Sequence, residues 1–298
     1  MIIIPLLSDT FHEITLLAKK KNRLLATFPR YVSSKEQKHH KTKMYKTMKK
    51  IMFLMLIAIV TMTSCKEMKI TADSQSPQVT TIRNEVKDFE AIEIYGSVNV
   101  VYQQANTYHV SVKAPQSLLK NVETSVSDKR LKISIKTPKT IFNVGNSDDV
   151  TVTVSSPDLV GIFLKGSGDF NCNGHIDTDN MMIDLRGSGD INLQSLICDN
   201  LKVVLTGSGD IDLPNVTARN TNLSLIGSGD IDITQHQVIA TRMDLKGSGD
   251  IELKAVDCGT IESQVIGSGE ISIEGTAQRE RHDVKGSGDV YTNKLVLR

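Results

Sequence analysis

Seven carboxylates recur at one place in a repeating turn: Asp169, Asp190, Asp210, Asp230, Asp250, Glu270 and Asp289 each follow a Gly-Ser-Gly triplet. Carboxylates at a fixed interval have two chemical uses. As oxygen donors from successive repeats they could hold calcium. As acceptors beside glycines they can bind the backbone N–H groups of their own turn. The second use is the expectation, because the nine-residue calcium repeat with paired glycines is not matched by an interval of about twenty. Calcium is the one cofactor that the pattern admits, as weak sites on this ladder, and no metal site is assigned. Unit charges one strand spacing apart repel by about 0.9 kcal/mol in water and about 3.5 kcal/mol at an effective dielectric of 20. Lys165, Arg186, Lys246 and Lys285 directly precede four of the turns and are expected to offset that repulsion.

Cys65 carries a different chemistry. "MKKIMFLMLIAIVTMTSC" over 48–65 has two lysines, an unbroken apolar run from Ile51 to Val60, and small polar residues before the Cys. That is the layout of a secretory signal. Its apolar run is about half of the roughly 20 residues that a membrane span needs. The "MTSC" end resembles the lipobox of bacterial lipoproteins, in which the Cys thiol receives a diacylglycerol and becomes the first residue of the mature chain. Acyl chains contribute about 0.8 kcal/mol per buried CH₂, so an acylated Cys65 would anchor the protein to a membrane. Lys66 and Glu67 resemble the export signals that send Bacteroidota lipoproteins to the outer face. The anchor is therefore expected at the outer membrane, on either its surface or its periplasmic side.

Residues 1–47, with "KKKNR" and "KEQKHHKTK", are a poor membrane-entry sequence. They read as an upstream extension ahead of a start at Met44 or Met48, the alternative being a genuine basic extension from Met1. Residues 66–84 are polar with little periodicity and read as a tether. The body follows over 85–298.

The other candidates for chemistry are isolated. Cys198 and Cys258 share a repeat column three coils apart, on the order of 14 Å, beyond the roughly 7 Å Cα limit of a disulfide. Cys172 lies in another column, and all three read as small buried residues. His175 and His236 are expected at one coil position, also three coils apart. Neither a CxxC pair nor GxSxG, HExxH or a strand-to-helix phosphate loop occurs. Residues 1–65 hold 12 Lys/Arg against 3 Asp/Glu, which leaves 23 against 31 for 66–298. Trp is absent and aromatics are 4%. An acidic body with few aromatics is poorly suited to nucleic acid.

The elements that must position these residues follow from the repeat. Turns beginning at Gly166, Gly187, Gly207, Gly227, Gly247, Gly267 and Gly286 lie 19 to 21 residues apart, the mark of stacked coils. Ile191, Ile211, Ile231, Ile251 and Ile271 form one apolar column. Leu193, Leu213, Ile233, Leu253 and Ile273 form the next, two residues on, which is the strand period. Leu196, Val216, His236 and Val256 are expected in a second strand, with Cys198, Ala218, Val238 and Cys258. Leu201, Val203 and Leu205 begin the pattern of a third. Three short strands per coil, none able to bury its apolar face alone, predict a right-handed parallel β-helix. The ladder carboxylates, one position before the inward Ile column, point outward.

Upstream, "FEAIEIYGSVNVVY" from Phe89 to Tyr102 reads as a degenerate coil with Gly96-Ser97 in place of the turn. Residues 85–165 form irregular first coils and a cap, which an open terminal coil needs. "FEAIEIYGSVNVVYQ", then "VTVTVSSPDLVGIFLKGSGD", then serial "GSGDI" copies together resemble the head GIN domain family, described as a "putative auto-transporter adhesin" of Bacteroidota lipoproteins. The resemblance covers about 85–298. It implies an all-β, right-handed β-helix on a secreted or lipid-anchored protein with an adhesive role, and it supplies no catalytic residues.

The expected function is a non-enzymatic envelope lipoprotein, an adhesin or structural module whose repeated faces suit multivalent contact with a cell-surface glycan or protein. The competing class is a polysaccharide-binding or polysaccharide-cleaving β-helix protein. Cleavage needs a unique pair of carboxylates, whereas these repeat identically. A unique Arg/Lys/Asp cluster on one face would favour the cleaving enzyme. A third reading, end-to-end polymerisation, is opposed by Lys294 and Arg298 in the short terminal "KLVLR".

Overall fold

The structure is a computed structural model that describes residues 77–136 and 150–298. The signal segment, Cys65 and the upstream extension lie outside the described residues. Nineteen strands in one continuous hydrogen-bonded sheet and a single four-residue helix make up the described body.

Each regular coil contains two strands. β10 (Asn180–Gly187) leads through a Gly-Ser-Gly turn to β11 (Ile191–Ile197), and β12 (Asn200–Gly207) to β13 (Ile211–Thr217). β14 (Asn220–Gly227), β15 (Asp230–His236) and β16 (Ala240–Gly247) continue the pattern. The sequence suggested three strands per coil. The first two run as one, bent where the register shifts between Leu193 and Ser195 and between Leu213 and Val216. In the last coils even the remaining corner joins the ladder, giving β17 (Asp250–Gly267), β18 (Glu270–Gly286) and β19 (Asp289–Leu297).

The degenerate copy is a true coil. β2 (Ala91–Gly96) and β3 (Asn99–Gln104) stack on β8 (Gly161–Gly166) and β9 (Phe170–Asp177), with Gly96 opposite Gly166. On its other side lie β6 (Arg130–Ile135) and β7 (Thr151–Ser156), also parallel. The chain therefore builds its second coil outward and returns past the first. Beyond these, pairing reverses: β4 (His109–Pro115) runs antiparallel to β7, and β5 (Val122–Ser127) antiparallel to β6. α1 (Gln116–Leu119) joins β4 to β5, and β1 (Gln78–Ile82) adds an antiparallel strand to β4. The stretch read as tether over 66–84 thus contains a strand of the fold. Antiparallel strands close the end that a parallel stack would leave open.

Alternation puts Ile191, Ile211, Ile231, Ile251 and Ile271 inside, each no more than 1% exposed. The glycine columns are set by the stacking. A Cβ on Gly207 would lie 2.0 Å from the carbonyl oxygen of Gly187, and one on Gly209 2.0 Å from that of Gly189. Gly207 also has φ 142°, in the region that favours glycine. The Ser208 N–H donates to the Gly187 carbonyl at 2.9 Å, so even the turns are laddered between coils.

One column departs from the reading by period. Val216 stands opposite Gln235, not His236, and Gln235 stands opposite Ala255 and then Gly275. Gln235 is fully buried, and His236 lies beside the core at intermediate exposure. The coil loses a residue at the Thr234 bend and regains one at Gln237, which adopts φ 56°. Its length stays at twenty, which hides the slip. His175, opposite Ser195, and His236, opposite Thr217, therefore do not share a coil position.

Candidate functional site

The Asp column points outward, from half-buried at Asp169 and Asp190 to exposed from Asp210 onward. Its hydrogen bonds run between coils and not within a turn. The Asp190 N–H donates to Asp169 Oδ1 at 3.1 Å, that of Asp210 to Asp190 at 3.1 Å, and that of Asp230 to Asp210 at 3.0 Å. Asp250 and Glu270 continue the ladder at 3.0 Å each. It begins at Asn99 of the degenerate coil, whose Oδ1 accepts the Asp169 N–H at 3.0 Å. The longer Glu270 ends it: its Oε1 takes the Ser272 hydroxyl at 3.1 Å, and the Asp289 N–H turns to the Gly269 carbonyl. The expectation that each Asp binds its own turn is corrected here. The strand spacing brings the next coil's N–H to within 3.0–3.1 Å of the carboxylate.

Beside this ladder runs a second outward column, Asp212, Asp232 and Glu252 in register. A shallow groove of about 340 Å³ follows it and reaches Lys254, Lys294 and Tyr291. Burial, then the charges of Glu252 and Asp212, push the Asp232 carboxyl above the usual range. Burial and the neighbouring Asp169 and Asp210 do the same at Asp190, against the bond that it accepts from Asp210. Among the described residues, no group of three or more His, Cys, Asp or Glu side chains is arranged to hold a metal ion.

Cys172, Cys198 and Cys258 are buried free thiols. Burial raises all three, Cys198 to about 12. At the far end of the core, the inward positions of Ile261, Ser263 and Val265 pass to Glu280, His282 and Val284 in the next coil. Ser263 Oγ lies 2.7 Å from His282 Nδ1, and His282 Nε2 2.9 Å from Glu280 Oε2. This chain gives the last inward column hydrogen-bonded polar groups where the core runs out.

A cluster that the period could not reveal lies on β2, β6, β8 and β10. Glu93 points outward yet is 4% exposed. Lys165 Nζ meets its Oε1 at 2.7 Å, the Tyr95 hydroxyl donates to Oε1 at 2.6 Å, and Arg130 approaches Oε2 at 3.6 Å. Burial alone would raise the Glu93 carboxyl. The bonds from Lys165 and Tyr95 and the charges of Lys165 and Arg130 outweigh that and hold it below the usual range. Two strands away, Asp184 is gripped by Arg186 through Nε and Nη2 at 3.0 and 2.9 Å. The alternation of "AIEIYG" and "GIFLKG" marks these side chains as outward, but their meeting depends on the out-of-order stacking of β6, β2 and β8.

The family model described as "Putative auto-transporter adhesin, head GIN domain" matches residues 88–257 and 235–298. A solved "putative adhesin" from Bacteroides fragilis is 28% identical at a TM-score of 0.67, over 75% of this chain and 98% of that one. A "putative lipid binding protein" from Parabacteroides distasonis is 24% identical at a TM-score of 0.61, over 74% and 98%. A "putative adhesin" from Parabacteroides merdae is 20% identical at 0.56, over 75% and 98%. The last two bear on the fold alone. No curated protein matches the chain. With that model matching the β-helical body from residue 88 to the last residue, the chain belongs to the head GIN domain family.

Proposed function

We propose that this protein is a non-enzymatic adhesin of the cell envelope, held to the outer membrane by lipid on Cys65 and presenting the repeated faces of its β-helix to a glycan or protein. The observation that carries the reading is the use made of the turn carboxylates. From Asp169 to Asp250 each one is engaged by the next coil's N–H, so the repeat builds a stiff display surface instead of a series of ligand loops. Identical faces at a fixed spacing add contacts without a single strong site. Polysaccharide cleavage is the weaker reading, since it needs a unique acid and base. Asp190 and Asp232, the carboxyls that burial raises, belong instead to repeating columns, and Glu93 in the unique cluster is held low.

The test is protease treatment of intact cells that express the full chain, beside a Cys65→Ala control. Loss of the body from wild-type cells, with Cys65→Ala protein released or mislocalised, supports surface display. A body protected until the envelope is broken overturns it.

A further inference from the structure

The outward face of β6, β2, β8 and β10 differs from the rest of the solenoid. Register aligns Lys132, Glu93, Phe163 and Asp184 in one row across the four strands, and Ser134, Tyr95, Lys165 and Arg186 in the row beside it. Four cations, Arg130, Lys132, Lys165 and Arg186, stand against two carboxylates, whereas residues 66–298 as a whole are acidic. The patch also gathers Tyr95 and Phe163, while Phe89, Tyr102 and Phe170 are buried in the core.

The rings are fixed in place. Phe163 lies back over Gly161, where a Cβ would come within 2.7 Å of its Cε2, and the Arg130 guanidinium sits 4.1 Å from its centroid. Tyr95 is 39% exposed, with Lys165 Nζ 5.0 Å from its centroid. The buried Glu93 holds Lys165, Tyr95 and Arg130 together, and Asp184 sets Arg186 through Nε and Nη2, with no bond to its Nη1 among the described residues. Lys132 engages no carboxylate among the described residues.

Fixed aromatic faces beside outward guanidinium and ammonium groups suit a ligand with flat apolar surfaces and carboxylates. A sugar ring supplies the first and a uronic acid the second. Strand spacing of ~4.8 Å is close to the advance of one pyranose unit, so successive strands along one row can meet successive sugars. At physiological salt the Debye length is ≈ 8 Å, which screens the patch from the acidic columns on the neighbouring face. We infer that this face binds an anionic, uronate-bearing polysaccharide through Arg130, Lys132, Lys165, Arg186 and the rings of Tyr95 and Phe163. The inference rests on the adhesin reading and gives it a ligand class.

The test titrates the full chain, carrying Cys65→Ala to keep it unacylated, with polygalacturonate. Fully methyl-esterified polygalacturonate and polyaspartate serve as the sugar without charge and the charge without sugar. Binding to polygalacturonate at least tenfold tighter than to either comparison polymer, weakened severalfold by Lys132→Ala and by Tyr95→Ala and unchanged by Lys246→Ala, is the expected result. A single cooperative thermal transition shows that each variant folds. Failure to bind polygalacturonate, equal binding to polyaspartate, or indifference to both variants overturns the patch. Those outcomes leave surface display standing, since protease treatment decides it separately.

Discussion

The backbone N–H of Asp210 donates to Oδ1 of Asp190, one coil earlier, at 3.1 Å. A side chain here does what a backbone carbonyl does in an ordinary ladder, and the geometry needs an oxygen but no charge. Asn99, the first member of the series, shows that an amide serves. Asp190→Asn is therefore expected to keep stability within about 0.5 kcal/mol, since it retains the acceptor and removes a repelling charge. Asp190→Ala leaves the Asp210 N–H without that partner and should cost about 1–2 kcal/mol. Urea denaturation of the two variants beside wild type measures the difference.

The raised carboxyls of Asp190 and Asp232 bind protons more tightly folded than unfolded. Their penalty is complete above the folded pKa and is relieved as pH falls toward the unfolded value of 3.8. Glu93 acts in reverse: its contribution is full above its unfolded value of 4.5 and is lost as pH falls through its lowered folded pKa. Asp232→Asn should thus raise the melting temperature at pH 7 and change it little near pH 3. Glu93→Gln should lower it at pH 7 and narrow its deficit in acid. Melting curves across that range would contradict this assignment if either variant shifted equally at both ends.

Gly207→Ala meets both a carbonyl oxygen far inside contact distance and an unfavourable φ. A loss of roughly 2–4 kcal/mol is expected. A Cβ added at Gly174 would have nothing within 4 Å, and φ there lies outside the glycine region, so Gly174→Ala should be close to neutral. Chemical denaturation of the pair separates the coil-stacking requirement from a general dislike of substituting glycine.

Gln235 is buried with Nε2 bonded to Thr241 Oγ1 and with Oε1 unpaired, and Thr221, opposite Thr241 in register, also has an unpaired hydroxyl. Replacing both ends of a buried polar pair by apolar groups of similar size is neutral or favourable, whereas removing one end is costly. Gln235→Leu with Thr241→Val should equal or exceed wild-type stability, and Thr241→Val alone should lose about 1–2 kcal/mol. A double-mutant cycle by thermal unfolding gives the coupling.

The three core thiols should resist alkylation in the folded protein and react once it is unfolded. Burial raises each, and it also blocks access. Mass spectrometry after iodoacetamide treatment with and without urea measures this, and rapid native labelling of Cys258 would contradict the placement.

The inward columns were legible because the strand period and the coil period both show in Ile191, Ile211, Ile231 and their neighbours. Gly96-Ser97 was legible as a vestige of the same turn, and the structure pairs it with Gly166. The slip at Gln235 was not, because a deletion at one corner and an insertion at the next cancel in the count. Nor was the partner of each turn carboxylate: spacing shows that Asp recurs, but whether it serves its own turn or the next depends on the distance between coils. The Glu93 cluster stayed hidden for a topological reason. Residues 93, 130 and 165 become neighbours only because the chain lays β6 on one side of β2 and returns to lay β8 on the other.

The antiparallel strands at one end fix where the stack stops, while every regular coil from β10 onward meets its neighbours through the same glycine, serine and aspartate contacts. A whole coil added or deleted between Gly187 and Gly227 would present each turn with the glycine, serine and aspartate contacts that it already makes. Duplication in the gene can therefore lengthen the molecule in steps of one strand spacing, about 4.8 Å, while keeping the backbone contacts of the turns. Reach is in this sense a countable, heritable trait, adjustable independently of whatever the unique face near the closed end recognises.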